Sequence, residues 1–192
     1  MPLRRANPDA GSADACRERA LRLLEQRPHA VAELRRKLLQ RGFLRGVVES
    51  VLADLERLGL LDDAAVARDA CAAALQRPAA LGRGRILANL RRHGIAADVA
   101  QSALREAGAD ADAPDELERA LAAAQTKLRL LTRETDPRRR RDKLARFLLA
   151  RGFAPGIARE AVDRLAAGDP DDPPPEPPLS GAEDGGGDDA RG

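Results

Sequence analysis

One spacing of apolar residues and glycine occurs three times in this chain of 192 residues. In each copy an apolar residue is followed four positions later by Leu, four positions after that by Gly, and then directly by a bulky apolar residue. The copies are Leu34/Leu38/Gly42/Phe43, Ile86/Leu90/Gly94/Ile95 and Leu144/Leu148/Gly152/Phe153. Because apolar residues four apart lie on one face of an α-helix, the pattern predicts one helical unit used three times.

Each glycine of the pattern is predicted to end one helix before the next begins. Gly adopts the left-handed backbone conformation without a Cβ clash, and it commonly occupies the position just past a helix end. The residue after it then contacts the Leu of the last helical turn. The predicted helix-end residues are Gly42, Gly94 and Gly152, followed by Phe43, Ile95 and Phe153. Replacing Gly94 by Ala is expected to cost on the order of 1 kcal/mol.

The composition argues against β-structure. The chain has no Trp, no Tyr and only three Phe, so it lacks many of the residues that favour strands. Apolar residues recur at spacings of three and four almost throughout, and alternating apolar and polar runs are missing. Repeats about fifty residues apart that cannot each bury an apolar face alone favour a stacked array. We therefore expect an all-α fold, a tandem array of three three-helix repeats that is elongated and curved.

The chain is expected to divide into six segments. They are a disordered N-terminal segment at 1–14, repeat 1 at 15–61, repeat 2 at 62–108, a linker at 109–114, repeat 3 at 115–168 and a disordered, acidic, Pro- and Gly-rich tail at 169–192. Eight acidic residues and one Arg give the tail a charge of −7, so residues 1–168 carry +9 and the whole chain +2. A segment of the tail's composition cannot bury enough apolar surface to order itself.

Positive charge concentrates on the predicted middle helix of each repeat. If the repeats stack in one sense, these helices align and their cations form a basic stripe suited to an anionic partner. The candidate partner-binding residues are Arg35, Arg36, Arg85, Arg91, Arg92, Lys143 and Arg146. The alternative is structural, because cations in a last helical turn offset exposed carbonyls and a charged outer face is ordinary on an amphipathic helix. That explanation covers Arg91 and Arg92 but not Arg35 or Arg85.

No sequence pattern points to catalysis, a cofactor or a metal. A phosphate-binding GxxxxGK[ST] loop is missing, and no local motif places a Ser or Cys beside His29 or His93, the two histidines. We interpret His93 as a helix-end residue. Cys16 and Cys71 lack metal-ligand spacing and are expected to be buried or idle thiols. We expect a protein without enzyme activity, cofactor or metal site. Since neither a signal-peptide core nor a membrane-length apolar run occurs, we expect a cytoplasmic protein with no membrane partner. We also expect a monomer.

Two helices joined by a short glycine turn also invite comparison with DNA-reading helix-turn-helix units. The second helices, predicted at 44–58, 97–107 and 155–166, are rich in Val, Ala and Glu and short of Asn, Gln and Arg near their starts. This composition disfavours sequence-specific readout of the major groove. Non-specific contact of the middle helices with single- or double-stranded DNA phosphates stays open as an alternative.

Four stretches in order along the chain resemble the RecX family of regulatory proteins. They are residues 33–43, 58–63, 84–95 and 143–153, within a match that spans about 15 to 166. The chain departs from the family pattern at 63–67, where residues are smaller than the usual aromatic, and in the acidic tail.

The resemblance implies a bacterial modulator of the RecA recombinase, acting in homologous recombination, DNA repair and the SOS response. Proteins of this family bind RecA and its filament on single-stranded DNA, lodge in the filament groove and inhibit ATP hydrolysis, strand exchange and co-protease activity. Some also contact DNA. The alternatives are a non-specific nucleic-acid-binding helical protein and a scaffold for another helical partner. A separate hypothesis is that the acidic tail competes for the basic stripe.

Overall fold

The structure is a computed structural model that describes residues 7–77, 80–110 and 114–167. Within these ranges it contains nine α-helices and no strand, so the predicted all-α class is confirmed. The helices are α1 (Ala13–Leu24), α2 (Val31–Gln40), α3 (Arg45–Arg57), α4 (Asp63–Leu75), α5 (Arg83–Arg92), α6 (Ala97–Gly108), α7 (Glu116–Leu128), α8 (Pro137–Ala150) and α9 (Pro155–Ala166). Residues 1–6, 78–79, 111–113 and 168–192 lie outside the described residues. The expected acidic tail and part of the expected linker are therefore not described.

The helices pack as three triplets, α1–α3, α4–α6 and α7–α9. All extensive helix–helix packing among the described residues occurs within a triplet. Each triplet has its own apolar cluster, built mainly of Leu and Val in the first and increasingly of Ala in the second and third. The predicted repeat fold is therefore confirmed. The expectation that a repeat cannot bury its apolar face alone is wrong, because each repeat buries its apolar residues chiefly among its own helices.

The three glycines of the repeated pattern end the middle helices α2, α5 and α8 as the spacing predicts. Their φ angles are +90° at Gly42, +86° at Gly94 and +83° at Gly152. In repeat 1 the amide of Gly42 donates to the carbonyl of Leu39 and that of Phe43 to the carbonyl of Leu38. The same pair of hydrogen bonds forms in the other two repeats, which is the Schellman arrangement of a helix end.

The start of repeat 1 differs from the expected one at residue 15. Helix α1 begins at Ala13 rather than Ala15, because the Ser12 side chain accepts a hydrogen bond from the amide of Ala15 at 3.2 Å. Residues 7–12, within the segment expected to be disordered, form a turn whose Ala10 carbonyl accepts from the amide of Leu44 at 2.9 Å. Helix α7 ends at Leu128, where the chain tightens into hydrogen bonds three residues apart.

The middle helices meet end to end between repeats. At the joint between repeats 2 and 3, the amide of Gly82 donates to the carbonyl of Arg151 and the amide of Gly84 to that of Gly152, both at 3.0 Å. These bonds bring the C-terminus of α8 against the N-terminus of α5. At the joint between repeats 1 and 2, Gly94 at the end of α5 packs against Ala32 at the start of α2. Helices α8, α5 and α2 therefore form a head-to-tail column in which the dipoles point the same way.

A carboxylate from the following repeat closes each joint. Helices α2 and α5 have no side-chain cap of their own, because their N-cap residues are Ala30 and Gly82. Asp63, the first residue of α4, accepts from the amide of Val31 at 2.8 Å. Glu116, the first residue of α7, accepts from the amide of Arg83 at 2.9 Å. Each acid satisfies an amide that the helix itself leaves free and offsets the positive end of the dipole.

Candidate partner-binding face of the middle helices

Six of the seven candidate cations lie on the side of the middle helices that faces away from the core. The core side is fixed by the buried residues four and eight positions before each glycine, such as Leu38 and Leu34. At 3.6 residues per turn, positions two, three, six and nine before the glycine lie within about 60° of the opposite side. The cations at these positions are Arg36, Arg85, Arg91, Arg92, Lys143 and Arg146, all of them exposed. We call them the outer-face cations.

The outer-face cations recur at equivalent positions of different repeats. Arg36 and Arg146 both stand six residues before their glycine, in repeats 1 and 3. Arg85 and Lys143 both stand nine residues before theirs, in repeats 2 and 3. Since α2, α5 and α8 form one column, the repeated positions place like charge along it.

The outer-face cations differ in their pairing with acids. Arg36, Arg85 and Arg91 form no ion pair with any other residue that the structure describes. Arg92 donates to the side-chain oxygen of Asn89. The remaining two face acids, since Lys143 contacts Glu134 and the guanidinium of Arg146 lies 3.9 Å from Asp142. Among the outer-face cations, those that face no acid therefore lie in repeats 1 and 2.

Arg35 stands apart from the other six candidates. It lies on the flank of α2 toward α3, where its guanidinium binds Glu49 through two oxygens, Nε to Oε1 at 2.9 Å and Nη2 to Oε2 at 2.9 Å. A planar guanidinium matches a carboxylate in this two-pronged way. Arg35 is thus already engaged within its own repeat.

A buried polar cluster at the joint between repeats 1 and 2 was not indicated by the sequence. The Glu33 side chain is 5% exposed, and its Oε1 lies 2.5 Å from Nη2 of Arg27 and 3.3 Å from Nζ of Lys37. Burial raises the pKa of Glu33, but hydrogen bonds from Arg27 and Lys37 outweigh burial and hold it below its ordinary value. His93, at the end of α5, brings Nδ1 to 3.7 Å from Oε2 of Glu33 across the joint.

The second histidine completes this cluster. His29 is 2% exposed, with Nδ1 2.8 Å from the carbonyl of Arg27 and Nε2 2.6 Å from Nζ of Lys37. A ring that donates to a carbonyl and accepts from an ammonium is neutral. Burial lowers the pKa of His29, and the charges of Arg27 and Lys37 act in the same direction. Because its partners come from residues two and eight positions away, no motif marks the cluster.

The aromatic residues are engaged within the fold. Phe43 and Phe153 are buried against the helix ends. The Phe147 ring has the guanidinium of Arg151 4.7 Å and the ammonium of Lys127 5.7 Å from its centroid. Arg151 also donates to the carbonyl of Ala80, so this group joins repeats 2 and 3. None of the three rings is a free platform for stacking on nucleic-acid bases.

The thiols and acids form no chemical centre among the described residues. Cys16 and Cys71 are free and fully buried, as predicted, and burial raises the pKa of both. Within the ranges given above, no three His, Cys, Asp or Glu residues cluster so that they could hold a metal ion. None of the helices there is long and apolar enough to cross a membrane.

Family models match both ends of the described chain. The model of the first three-helix domain of RecX matches residues 16–55, and that of the third three-helix domain matches residues 114–162. Repeat 2 lies between the two matches.

Solved structures share the fold. The crystal structure of RecX from Lactobacillus salivarius superposes with a TM-score of 0.66 at 19% identity, over 80% of this chain and 96% of that one. A second crystal structure of regulatory protein RecX gives a TM-score of 0.68 at 24% identity, over 79% of this chain and 73% of that one.

Relatives in sequence carry the same name. Regulatory protein RecX of Chlorobaculum tepidum is 35% identical over 154 residues, which cover 80% of this chain and 90% of the relative. Regulatory protein RecX of Halorhodospira halophila is 37% identical over 171 residues, 85% of this chain and 95% of the relative. With the repeated three-helix fold, these matches show that the chain belongs to the RecX family of regulatory proteins.

Proposed function

We propose that this protein binds the RecA recombinase and its filament on single-stranded DNA and inhibits the ATP hydrolysis, strand exchange and co-protease activity of that filament. It acts as a cytoplasmic monomer in DNA repair, homologous recombination and the SOS response. Family membership supplies the class of function, a regulatory protein. The partner and the inhibition are our proposal.

The observation that carries the proposal is the column of middle helices with its outer-face cations. Helices α2, α5 and α8 contain 10, 10 and 14 residues, about 50 Å of helix at 1.5 Å per residue. A surface of that length contacts more than one subunit of a helical assembly, and a row of cations complements acidic side chains or DNA phosphates. We propose that the protein lies across neighbouring RecA protomers of the filament and opposes their cycle of ATP hydrolysis.

The rigidity of the joints supports a filament as the partner. Backbone hydrogen bonds and a capping acid fix α5 against α8, and Asp63 and the Glu33 cluster tie α2 to the following repeat. A stiff row of contacts loses little conformational entropy on binding a regular, repeating surface. The binding free energy is less favourable on bare single-stranded DNA, because its phosphates have no fixed spacing for the row of contacts to match.

The second candidate function is non-specific nucleic-acid binding. It is favoured by the exposed positions of Arg36, Arg85 and Arg91 and by the general attraction of such cations to phosphates. The buried and engaged phenylalanines disfavour it for single strands, because base stacking supplies much of the affinity there.

Titration against the two partners at matched salt separates these functions. We expect binding to the RecA filament on single-stranded DNA to be at least about 10-fold tighter than binding to the same bare DNA, a difference of about 1.4 kcal/mol. Equal affinity for both, with the same dependence on salt, would favour the nucleic-acid-binding function and contradict the proposal.

A further inference from the structure

In repeats 2 and 3, the residue directly before the helix-ending glycine contacts the preceding repeat. Arg151 of repeat 3 donates from Nη1 to the carbonyl of Ala80 at 3.0 Å. His93 of repeat 2 brings Nδ1 to 3.7 Å from Oε2 of Glu33. The equivalent residue of repeat 1 is Arg41, and the described residues contain no earlier repeat for it to contact. Arg41 therefore occupies a joint position with no neighbouring repeat to receive it.

The turn at residues 7–12 covers part of this end of α2. At the other two joints the helix-ending glycine packs against the start of a middle helix, whereas Gly42 packs against Asn7. A Cβ at Gly42 would lie 3.0 Å from Cβ of Asn7. The turn supplies no acceptor, because the Arg41 guanidinium forms no hydrogen bond or ion pair with any residue that the structure describes. Compared with the other joints, the end of α2 lacks a group for Arg41 to bind.

A cleft of about 350 Å³ opens beside Arg41, between the turn, α1 and the end of α2. Two further arginines line it, Arg19 and Arg22, both on α1. Ala15 and Phe43 add apolar surface to the cleft. The volume lies at the lower end of the range for ligand-binding sites in proteins, so we expect it to admit side chains of a partner rather than a whole helix.

The arginines of the cleft are only partly neutralised. Glu18 binds Arg22, with Oε1 2.5 Å from Nη2. Asp9 also lines the cleft, but it is exposed and pairs with no arginine in the described ranges. Arg19 has no acid within ion-pair distance in the described part of the chain, and its Nε is buried without a hydrogen-bond partner. An N–H group buried in this way costs free energy until an acceptor reaches it.

The usual structural explanation covers one of these arginines only. Arg41 is the C-cap residue of α2, where a cation offsets exposed carbonyls. Arg19 lies in the middle of α1, so the helix dipole gives no reason for its position. A binding role accounts for both residues, because two guanidinium groups that line one cleft favour a carboxylate there.

The equivalent residues of the other repeats indicate which group the cleft accepts. His93 lies beside a carboxylate and Arg151 binds a main-chain carbonyl, so both contact groups of a polypeptide. The acids Asp9 and Glu18 in the lining oppose a chain of phosphates more strongly than a single carboxylate. A second copy is a poor occupant, because Asp136 at the free start of its α8 already accepts from two amides. These observations favour a carboxylate from another protein.

From these observations we infer that the cleft binds a Glu or Asp side chain from an acidic segment of a partner protein, through Arg41 and Arg19. Ala15 and Phe43 give an adjoining apolar residue of that segment a surface to pack on. The cleft lies at the end of the column and contains none of the outer-face cations. The inference therefore goes beyond the proposed function and does not depend on it.

Titration of the full chain with an acidic peptide tests the inference. The probe is an acetylated and amidated pentapeptide with Leu at its centre and Glu at the other four positions. We expect the side-chain Nε–H signals of Arg19 and Arg41 in NMR spectra to shift and saturate, with a Kd of about 1 mM or below. The same peptide with Gln in place of Glu should leave both signals unchanged. A Glu peptide that gives no saturable shift would overturn the inference.

A pair of variants locates the charge responsible. Arg41→Gln should weaken peptide binding, followed at the Arg19 signal, by about 10-fold, because a hydrogen bond to a charged group is lost. Arg41 is exposed, so the backbone amide signals of other residues should stay unchanged and show that the fold is kept. Arg45→Gln/Arg68→Gln, which removes more charge at exposed arginines outside the cleft, should bind like the parent. Equal weakening by both variants would mean that only net charge matters and would contradict the site.

A short DNA strand of the same charge distinguishes a carboxylate from a phosphate. A thymidine pentanucleotide without terminal phosphates carries four negative charges, as the peptide does. It should bind the cleft at least about 10-fold more weakly than the peptide at the same salt, measured at the signals of Arg19 and Arg41. Equal affinity would assign the cleft to phosphates, and shifts that depend on protein concentration alone would assign it to a second copy. Either result would overturn the inference. None of these measurements uses RecA, so a failure here is distinct from a failure of the proposed function.

Discussion

Asp63 in repeat 2 accepts a hydrogen bond from the backbone amide of Val31 in repeat 1, at 2.8 Å, and so caps a helix of the preceding repeat. Its neighbour Asp62 caps α4 itself by accepting from the amides of Ala64 and Ala65. Two adjacent acids therefore serve two helices, one on each side of the joint.

The inter-repeat cap should be measurable as stability. Asp63→Ala is expected to lower the free energy of unfolding by about 1 kcal/mol, the usual cost of losing a helix cap. Asp69→Ala, in the exposed middle of the same helix α4, controls for the change in helix propensity. Urea unfolding followed by circular dichroism gives both values. Equal losses for the two variants would mean that the bond to Val31 contributes nothing.

The glycines that end α5 and α8 should tolerate alanine less well than a glycine in the same conformation facing open space. A Cβ at Gly94 would lie 2.3 Å from Cβ of Ala32, and one at Gly152 would lie 2.3 Å from the amide nitrogen of Arg85. Gly59 has φ +70° and nothing within 4 Å of such a Cβ. It is the matched control for backbone strain alone.

We expect Gly59→Ala to cost about 1 kcal/mol through backbone strain. Gly94→Ala and Gly152→Ala should cost about 1–3 kcal/mol more, since the added methyl group forces the joint apart. This exceeds the cost expected from the helix end alone. Equilibrium urea unfolding of the three variants measures the difference, and identical losses at all three positions would show that the joints are loose.

The buried cluster between repeats 1 and 2 should make stability fall in acid. The pKa of His29 is lowered by burial in the folded chain, so the unfolded chain takes up the proton first. The stability that neutral His29 contributes is present above its unfolded pKa of about 6.5 and is lost as the pH falls through the lower folded pKa. The pKa of Glu33 is also lowered, so its contribution is present above about 4.3 and is lost at still lower pH.

Urea unfolding midpoints of the parent, His29→Gln and Glu33→Gln measured from pH 8 downward test this order. The decline below about pH 6.5 should be shallower in His29→Gln. The decline below about pH 4.3 should be shallower in Glu33→Gln. The three proteins are compared by the slope of unfolding midpoint against pH, because both substitutions also change stability at neutral pH. Parallel curves for all three proteins would contradict the roles given to these residues.

The helix boundaries and the apolar faces could be predicted from the sequence because both depend on local spacing. Leu38, Gly42 and Phe43 lie within six residues of one another, and a helix end needs nothing more. The joints could not be predicted in this way. Asp63 and Val31 are 32 residues apart, and nothing at either position shows that α2 lacks a cap of its own.

The surroundings of the candidate cations could be predicted only in part for the same reason. The positions of Arg36 and Arg85 relative to their glycines place both on the outer side, because helical periodicity alone determines which side of a helix a residue lies on. The engagement of Arg35 with Glu49 depends on how α2 packs on α3. Glu33 is buried because α5 of the next repeat ends beside it, and no local spacing indicates this.

Reversal of charge on repeat 2 tests most directly whether the outer-face cations bind the filament. Arg85→Glu/Arg91→Glu/Arg92→Glu is compared with Arg68→Glu/Arg105→Glu/Arg159→Glu, which changes the net charge equally at exposed arginines outside the middle helices. Inhibition of ATP hydrolysis by the RecA filament is measured, with helical content checked by circular dichroism. The first variant should need about 100-fold more protein for the same inhibition, equivalent to about 2.7 kcal/mol, and the second should inhibit like the parent. Equal inhibition by both variants, with helical content intact, would contradict the account.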